Sequence, residues 1–143
     1  MDFDNEMRIT FKSKSENESF ARTAITAFIV SLDPTVTEIS DIKTAVSEAV
    51  TNAIIHGYNR GSGEVKVHCG IKNTDIYIEV VDEGCGIDNI DKAREPLYTS
   101  KPHEERSGLG FTIMESFMDE MVVESKIGSG TKVSMKKTLQ NLL

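Results

Sequence analysis

Glu48 and Asn52 stand four residues apart in SEAVTNAIIHGY, a stretch whose apolar residues recur at helical spacing. Four residues is just over one helical turn, so the carboxylate and the carboxamide are neighbours on one face. Such a pair suits holding a hydrated magnesium ion and orienting a nucleophile. A Glu/Asn pair is also what an ordinary solvated helix face carries. Against that bland reading, Ala45 and Ile55 share the same side, while Ile39, Ile42, Val46, Ala49, Val50 and Ala53 form the buried stripe opposite.

Two further stretches have chemical potential. VVDEGCGID (80–88) begins as a buried strand, then sets Asp82 and Glu83 against Gly84 and Gly86. A carboxylate at a strand end can accept from the exocyclic amine of a flat heterocycle, and glycine lets the ring approach the backbone. Tight turns use Asp and Gly for backbone reasons alone, so the spacing leaves both readings open. In RSGLGFTI (106–113), Gly108 and Gly110 immediately precede a helical pattern. Backbone N–H groups and the helix dipole there make a natural phosphate cradle, with Arg106 and Lys101 near enough in sequence to offset phosphate charge. The pattern is neither the dinucleotide-binding glycine fingerprint nor a P-loop.

The elements that must position these residues are legible in outline. MRITFKS (7–13) alternates as a strand, and residues 15–33 read as a helix with a Ser15/Glu18 capping box and an apolar stripe through Phe20, Ala24, Ala27 and Phe28. Residues 35–58 form a second, longer helix. Strands at 64–72 and 75–82 join through Asn73-Thr74 as a hairpin. Residues 84–108 show no sustained period, a length of loop that is usually functional. A helix over 109–121 and a closing hairpin through GSG complete the chain. Strands and helices mix without βαβ alternation. The expected class is therefore α+β, a two-layer sandwich with a mostly antiparallel, mixed sheet covered on one face by helices. At 143 residues the chain suits a single domain, 1–143.

Composition limits the function. The net charge of −7 supplies no basic footprint for phosphates, which argues against direct nucleic-acid binding. No apolar run approaches the roughly 20 residues that span a bilayer, and the acidic N-terminus lacks an apolar leader, so no membrane association and a cytoplasmic location are expected. Cys69 and Cys85 have no metal-ligand spacing and read as free thiols.

Together, an E-x-x-x-N helix, a D-x-G-x-G strand end, a long loop and a GxG helix start resemble the GHKL ATPase superfamily. SEAVTNAIIHGY is similar to its N box, DEGCGI to its G1 box and SGLGF to its G2 box. The resemblance implies a Bergerat-type ATP-binding fold, with ATP/ADP and Mg2+ as cofactors. It makes Glu48 the catalytic acid that polarises the attacking group, Asn52 the magnesium ligand and Asp82 the reader of the adenine amine. Gly108, Leu109 and Gly110 would wrap the phosphates. Thr131, after GSG, matches a position that supports adenine recognition, although a β-branched strand residue explains it equally well. Gly84, Gly86, Thr99, Lys101, Arg106, Ser107 and Phe111 complete the implied ATP-binding set, and residues 87–107 would be a mobile ATP lid.

SENESFAR, LDPT, REPLYTSKP, GFTIMESFMDE and VES further resemble the anti-sigma F factor family of endospore-forming bacteria, over essentially the whole chain. That likeness implies a serine kinase that phosphorylates an anti-anti-sigma protein and, as an ATP-bound homodimer, sequesters a sigma factor of the F type. The segment MDFDNE ahead of MRITF departs from the pattern. On the first helix, Arg22 is the expected partner contact, while Glu16 and Ser19 read as a solvated face. MRITF, as an edge strand, suits a dimer seam. His56 reads as a structural helix-end residue, and His68 as an outward strand position. A stress-response kinase of the same type, and a nucleotide-gated binding module without phosphotransfer, are the alternatives.

Overall fold

The structure, a computed structural model, describes residues 1–57, 63–87, 90–95 and 110–140. Its strands are β1 (Asn5–Lys12), β2 (Glu64–Lys72), β3 (Asp75–Asp82), β4 (Glu120–Lys126) and β5 (Gly130–Thr138). They form one five-stranded sheet in the order β1-β2-β3-β5-β4. Every ladder is antiparallel, so the sheet is not the mixed one the sequence allowed for. Asn73 adopts a left-handed φ of 55° and lets β2 turn into β3, the hairpin read from Asn73-Thr74.

Period-two alternation gives the sheet one apolar and one polar face. Val65, Val67 and Cys69 of β2, Ile76, Ile78 and Val80 of β3, and Val133 and Met135 of β5 all lie inward. Helices α1 (Glu16–Ile29), α2 (Val36–Asn52) and α4 (Gly110–Phe117) supply much of the rest of that core, and a short α3 (Ile90–Ala93) lies between α2 and α4 in the chain. Outward positions hold charge: His68 lies 2.7 Å from Glu6 and Lys132 3.0 Å from Glu79. Burial pushes the Cys69 thiol up to about 12, and both cysteines are free.

Three local expectations are corrected. Ser15 sits in the right-handed helical region and its side chain makes no cap hydrogen bond; the Ser15/Glu18 box does not form. The fully buried stripe of α1 is Ala21, Ile25 and Ile29, one residue out of phase with the expected one, and Phe20 is left 52% exposed, edge-on to Phe11. Both stripes satisfy a 3.6-residue period; the β-branched isoleucines, not the phenylalanine, fill the sheet face. Helix α4 ends at Phe117 rather than 121, because Asp119 N–H already pairs with Lys136 O and Lys137 Nζ donates to the Phe117 carbonyl.

The N-terminal segment has a structural role. Asp4 N–H extends the β1–β2 ladder to Ile71 O, and the Phe3 ring lies where a Cβ at Gly70 would collide with it at 2.6 Å. Phe3 also meets His68 and Tyr77 edge-on or tilted.

The capping box that does form is at the start of α2. Thr35 Oγ1 accepts from Glu38 N–H at 3.1 Å, and Glu38 returns the bond to Thr35 N–H at 2.8 Å. The other Glu38 oxygen accepts from Gln140 N–H at 2.8 Å, tying the end of the chain to α2. Burial alone would raise its pKa, but these N–H donors and the Lys137 charge outweigh it and leave it below 4.5. With the folded pKa below the unfolded one, the stabilisation is present above about pH 4.5 and is lost as pH falls through the folded value. Glu38→Ala should cost about 2 kcal/mol at pH 7, with the deficit closing under acid. Denaturant titrations of both proteins at pH 7 and pH 3.5 test this; a pH-independent deficit would contradict it.

Candidate functional site

Helix α4 packs against α2, and Glu48 and Asn52 of α2 face its start. Ala45, which shares their side of α2, is fully buried. A Cβ added at Gly110, the first residue of α4, would lie 3.1 Å from Asn52 Nδ2, 3.2 Å from Glu48 Oε2 and 3.3 Å from Asn52 Oδ1. The carboxylate and the carboxamide therefore converge on the start of α4, the end of a helix dipole that favours negative charge. Oxygen donors of these two types are those magnesium takes. Only glycine leaves the pair undisturbed there. Gly110→Ala should hold or improve stability, since alanine favours helix, yet lower turnover about tenfold by displacing Glu48 and Asn52. Thermal unfolding beside an activity assay separates the two effects; a fall in both together would mean a packing defect instead.

The second half of the site is a row across the sheet. Asp82 pairs in register with Thr131 of β5, and Thr131 with Ser125 of β4. All three continue the inward alternation of their strands, so polar groups stand where the core pattern predicts apolar ones. Asp82 is 6% exposed. Its Oδ1 accepts from Gly84 N–H at 2.9 Å, and Thr131 N–H also donates to the carboxylate. Burial is the largest influence and pushes its pKa above 3.8; the two N–H donors only moderate the rise.

The glycines of this region hold the loop after Asp82 against the β4–β5 turn. Gly86 has φ +79°, and a Cβ there would strike the Lys126 carbonyl; Gly130 has φ +101°, and one there would strike the Asp82 carbonyl. Cys85 O accepts from Gly128 N–H at 2.9 Å. For Gly86 the structure thus supplies a backbone reason that the sequence left open. The π-helical turn Ala53–Gly57, directly after Asn52, packs on β3 and β5 and joins the two halves.

Phe111 is half-buried against the core. Thr99, Lys101, Arg106, Ser107, Gly108 and Leu109 lie outside the described residues, as do 88–89 and 96–107 of the expected lid. Arg22 is far from neither solvent nor charge: its side chain is 39% exposed and lies 3.9 Å from Glu18 on the α1 face. Ser125 was missed by the sequence reading, although period-two alternation through Met121 and Val123 places it inward.

An α+β sandwich with a carboxylate–carboxamide pair at a helix start and a buried aspartate at a strand end is a nucleotide-binding module. The model of the histidine kinase-like ATPase domain matches residues 11–137. The chain is 60% identical to the anti-sigma F factor of Clostridium beijerinckii over 94% of each chain. It is 56% identical to that of Clostridium kluyveri over 98% of this chain and 99% of the other, and 58% identical to that of Geobacillus thermodenitrificans over 93% and 92%. The crystal structure of the RsbU and RsbW domains of Rv1364c from Mycobacterium tuberculosis superposes with a TM-score of 0.69 at 19% identity. It covers 94% of this chain, which spans 32% of that one, and it bears on the fold alone. The chain belongs to the anti-sigma F factor family, within the histidine kinase-like ATPases. ATP and ADP are the nucleotides of such a domain. No helix among the described residues is long and apolar enough to cross a membrane.

Proposed function

We propose that this chain is an ATP-dependent protein serine kinase and anti-sigma factor, which inhibits a sigma factor of the F type and phosphorylates its anti-anti-sigma partner on serine. The convergence of Glu48 and Asn52 on Gly110 carries the reading. ATP, when bound, supplies the γ-phosphoryl group with magnesium as its charge partner. Glu48 accepts the proton of the incoming serine hydroxyl, and Asn52 provides an oxygen to the cation. Asp82 receives the adenine amine, with Gly84, Gly86 and Thr131 shaping its surroundings. N–H groups at the start of α4 favour phosphate charge, and Gly108, Leu109, Ser107, Arg106, Lys101 and Thr99 are assigned to the phosphate side. Positioning and charge stabilisation do the catalytic work.

Residues 1–143 act as one cytoplasmic unit in this reading. Arg22 on α1 meets protein partners. Strand β1 lies at the sheet edge, and a second copy pairs along it to give a homodimer. The test is transfer of labelled γ-phosphate from Mg-ATP to a purified anti-anti-sigma protein. Label on a partner serine supports the kinase. Tight ATP binding without any transfer leaves a nucleotide-gated binding module in its place.

A further inference from the structure

Ser125 Oγ lies 2.7 Å from Ile87 N, 2.7 Å from Thr131 Oγ1 and 3.0 Å from Gly130 O. A serine hydroxyl has one proton and two lone pairs. Ile87 N–H can only donate and the Gly130 carbonyl can only accept. Satisfying both sends the Ser125 proton to Gly130 O and leaves its lone pairs for Ile87 N–H and for the Thr131 hydroxyl. Thr131 must then spend its own proton on Ser125. Its oxygen is left with lone pairs alone, at the position that pairs in register with Asp82 of the adjacent strand. The opposite arrangement, with Ser125 donating to Thr131, gives up the Gly130 bond.

We propose that Ser125 is a specificity-determining positioning residue: it fixes the Thr131 hydroxyl as an acceptor, so that Asp82 and Thr131 together select a purine edge that donates. The proposal rests on the nucleotide reading above. Adenine offers an exocyclic amine at the six-position, whereas guanine in the same pose offers a carbonyl to two acceptors. A buried polar group left facing its own kind discriminates far better than a change of shape. The Ile87 bond adds a second task, since Ser125 holds the residue that follows the glycine loop.

The experiment measures ATP and GTP dissociation constants, by competition with a fluorescent ATP analogue, for the wild type, Ser125→Ala and Ser125→Thr. The wild type should prefer ATP. In Ser125→Ala the Thr131 hydroxyl is released to donate to the guanine carbonyl, and the ATP:GTP preference should shrink about tenfold, one hydrogen bond's worth in each direction. Ser125→Thr keeps the hydroxyl and should restore the preference. A role in hairpin packing alone would move the unfolding midpoint and leave the ratio intact; an unchanged ratio in Ser125→Ala overturns the proposal, as does failure of Ser125→Thr to restore it. Should Ser125→Ala not fold, Thr131→Val removes the same acceptor, and an unaltered ratio there overturns it equally. A wild type that binds ATP and GTP alike defeats this inference alone, whereas one that binds neither defeats the nucleotide reading itself.

Discussion

Glu48→Gln should reduce phosphate transfer to a partner serine by about 10²- to 10⁴-fold while ATP affinity stays within about threefold. The substitution preserves the length and volume of the side chain, so the packing against Gly110 survives. What it removes is a group able to take a proton. Serine is a poor nucleophile until its proton has somewhere to go, and an amide offers no destination. The change should fall on kcat, since an interaction made in the transition state is lost and ground-state binding is kept. Single-turnover transfer of labelled phosphate, beside equilibrium binding of ATP, separates these. Transfer near the wild-type rate would mean that Glu48 orients rather than accepts. A parallel loss of ATP binding would place it among the nucleotide's ligands instead. Gly110→Ala displaces the same carboxylate without altering its chemistry, so its effect should be much the smaller of the two.

How much of this the sequence disclosed depends on the kind of signal each residue sends. Glu48 and Asn52 were readable because helical spacing fixes their adjacency, and Ala45 on the same side already spoke against a solvated face; α4 packs against that helix. Asp82 was readable as an acid where the strand pattern demands an apolar residue. The α1 stripe was misplaced because two phases fit the same period, and large aromatic side chains attracted the assignment. Their exposure is decided by which residues fit the sheet, a property of the partner surface that no window along α1 contains. The Ser15 box failed for a related reason. Its residue types are right, but capping needs an extended Ncap backbone; Thr35 has one, whereas the chain leaving β1 passes Ser15 already in the right-handed helical region. Ser125 went unseen because a lone serine in a strand carries no spacing signal. Only the register, which aligns it with Thr131 and so with Asp82, gives it meaning. The glycines were ambiguous in sequence and resolve differently: Gly110 clears the Glu48 and Asn52 side chains, while Gly86 and Gly130 clear backbone.

Asp82→Asn should weaken ATP binding about 100-fold. A hydrogen bond from the adenine amine to a buried carboxylate contributes about 1.5–3 kcal/mol, or roughly 10- to 150-fold. Asparagine also turns an –NH2 group toward another –NH2, or turns its oxygen outward and strands the Gly84 or Thr131 N–H behind it. The pH dependence gives an independent check. Burial raises the Asp82 pKa above 3.8, so the free protein keeps this proton to a higher pH than an exposed aspartate would. With the carboxylate as the proposed acceptor of the adenine amine, a proton should leave on ATP binding whenever the pH is below that raised value. Affinity should be level above it and should fall about tenfold per pH unit below it. Protonation of ATP itself contributes to any such profile, but it contributes equally in both proteins; the difference between wild type and Asp82→Asn isolates the side chain. Calorimetry in two buffers of unequal ionisation heat measures the released proton directly. An asparagine variant that binds ATP as tightly as the wild type, or that releases the same proton in the acidic range, would remove Asp82 from the site and leave its burial as a structural cost with no ligand to account for it.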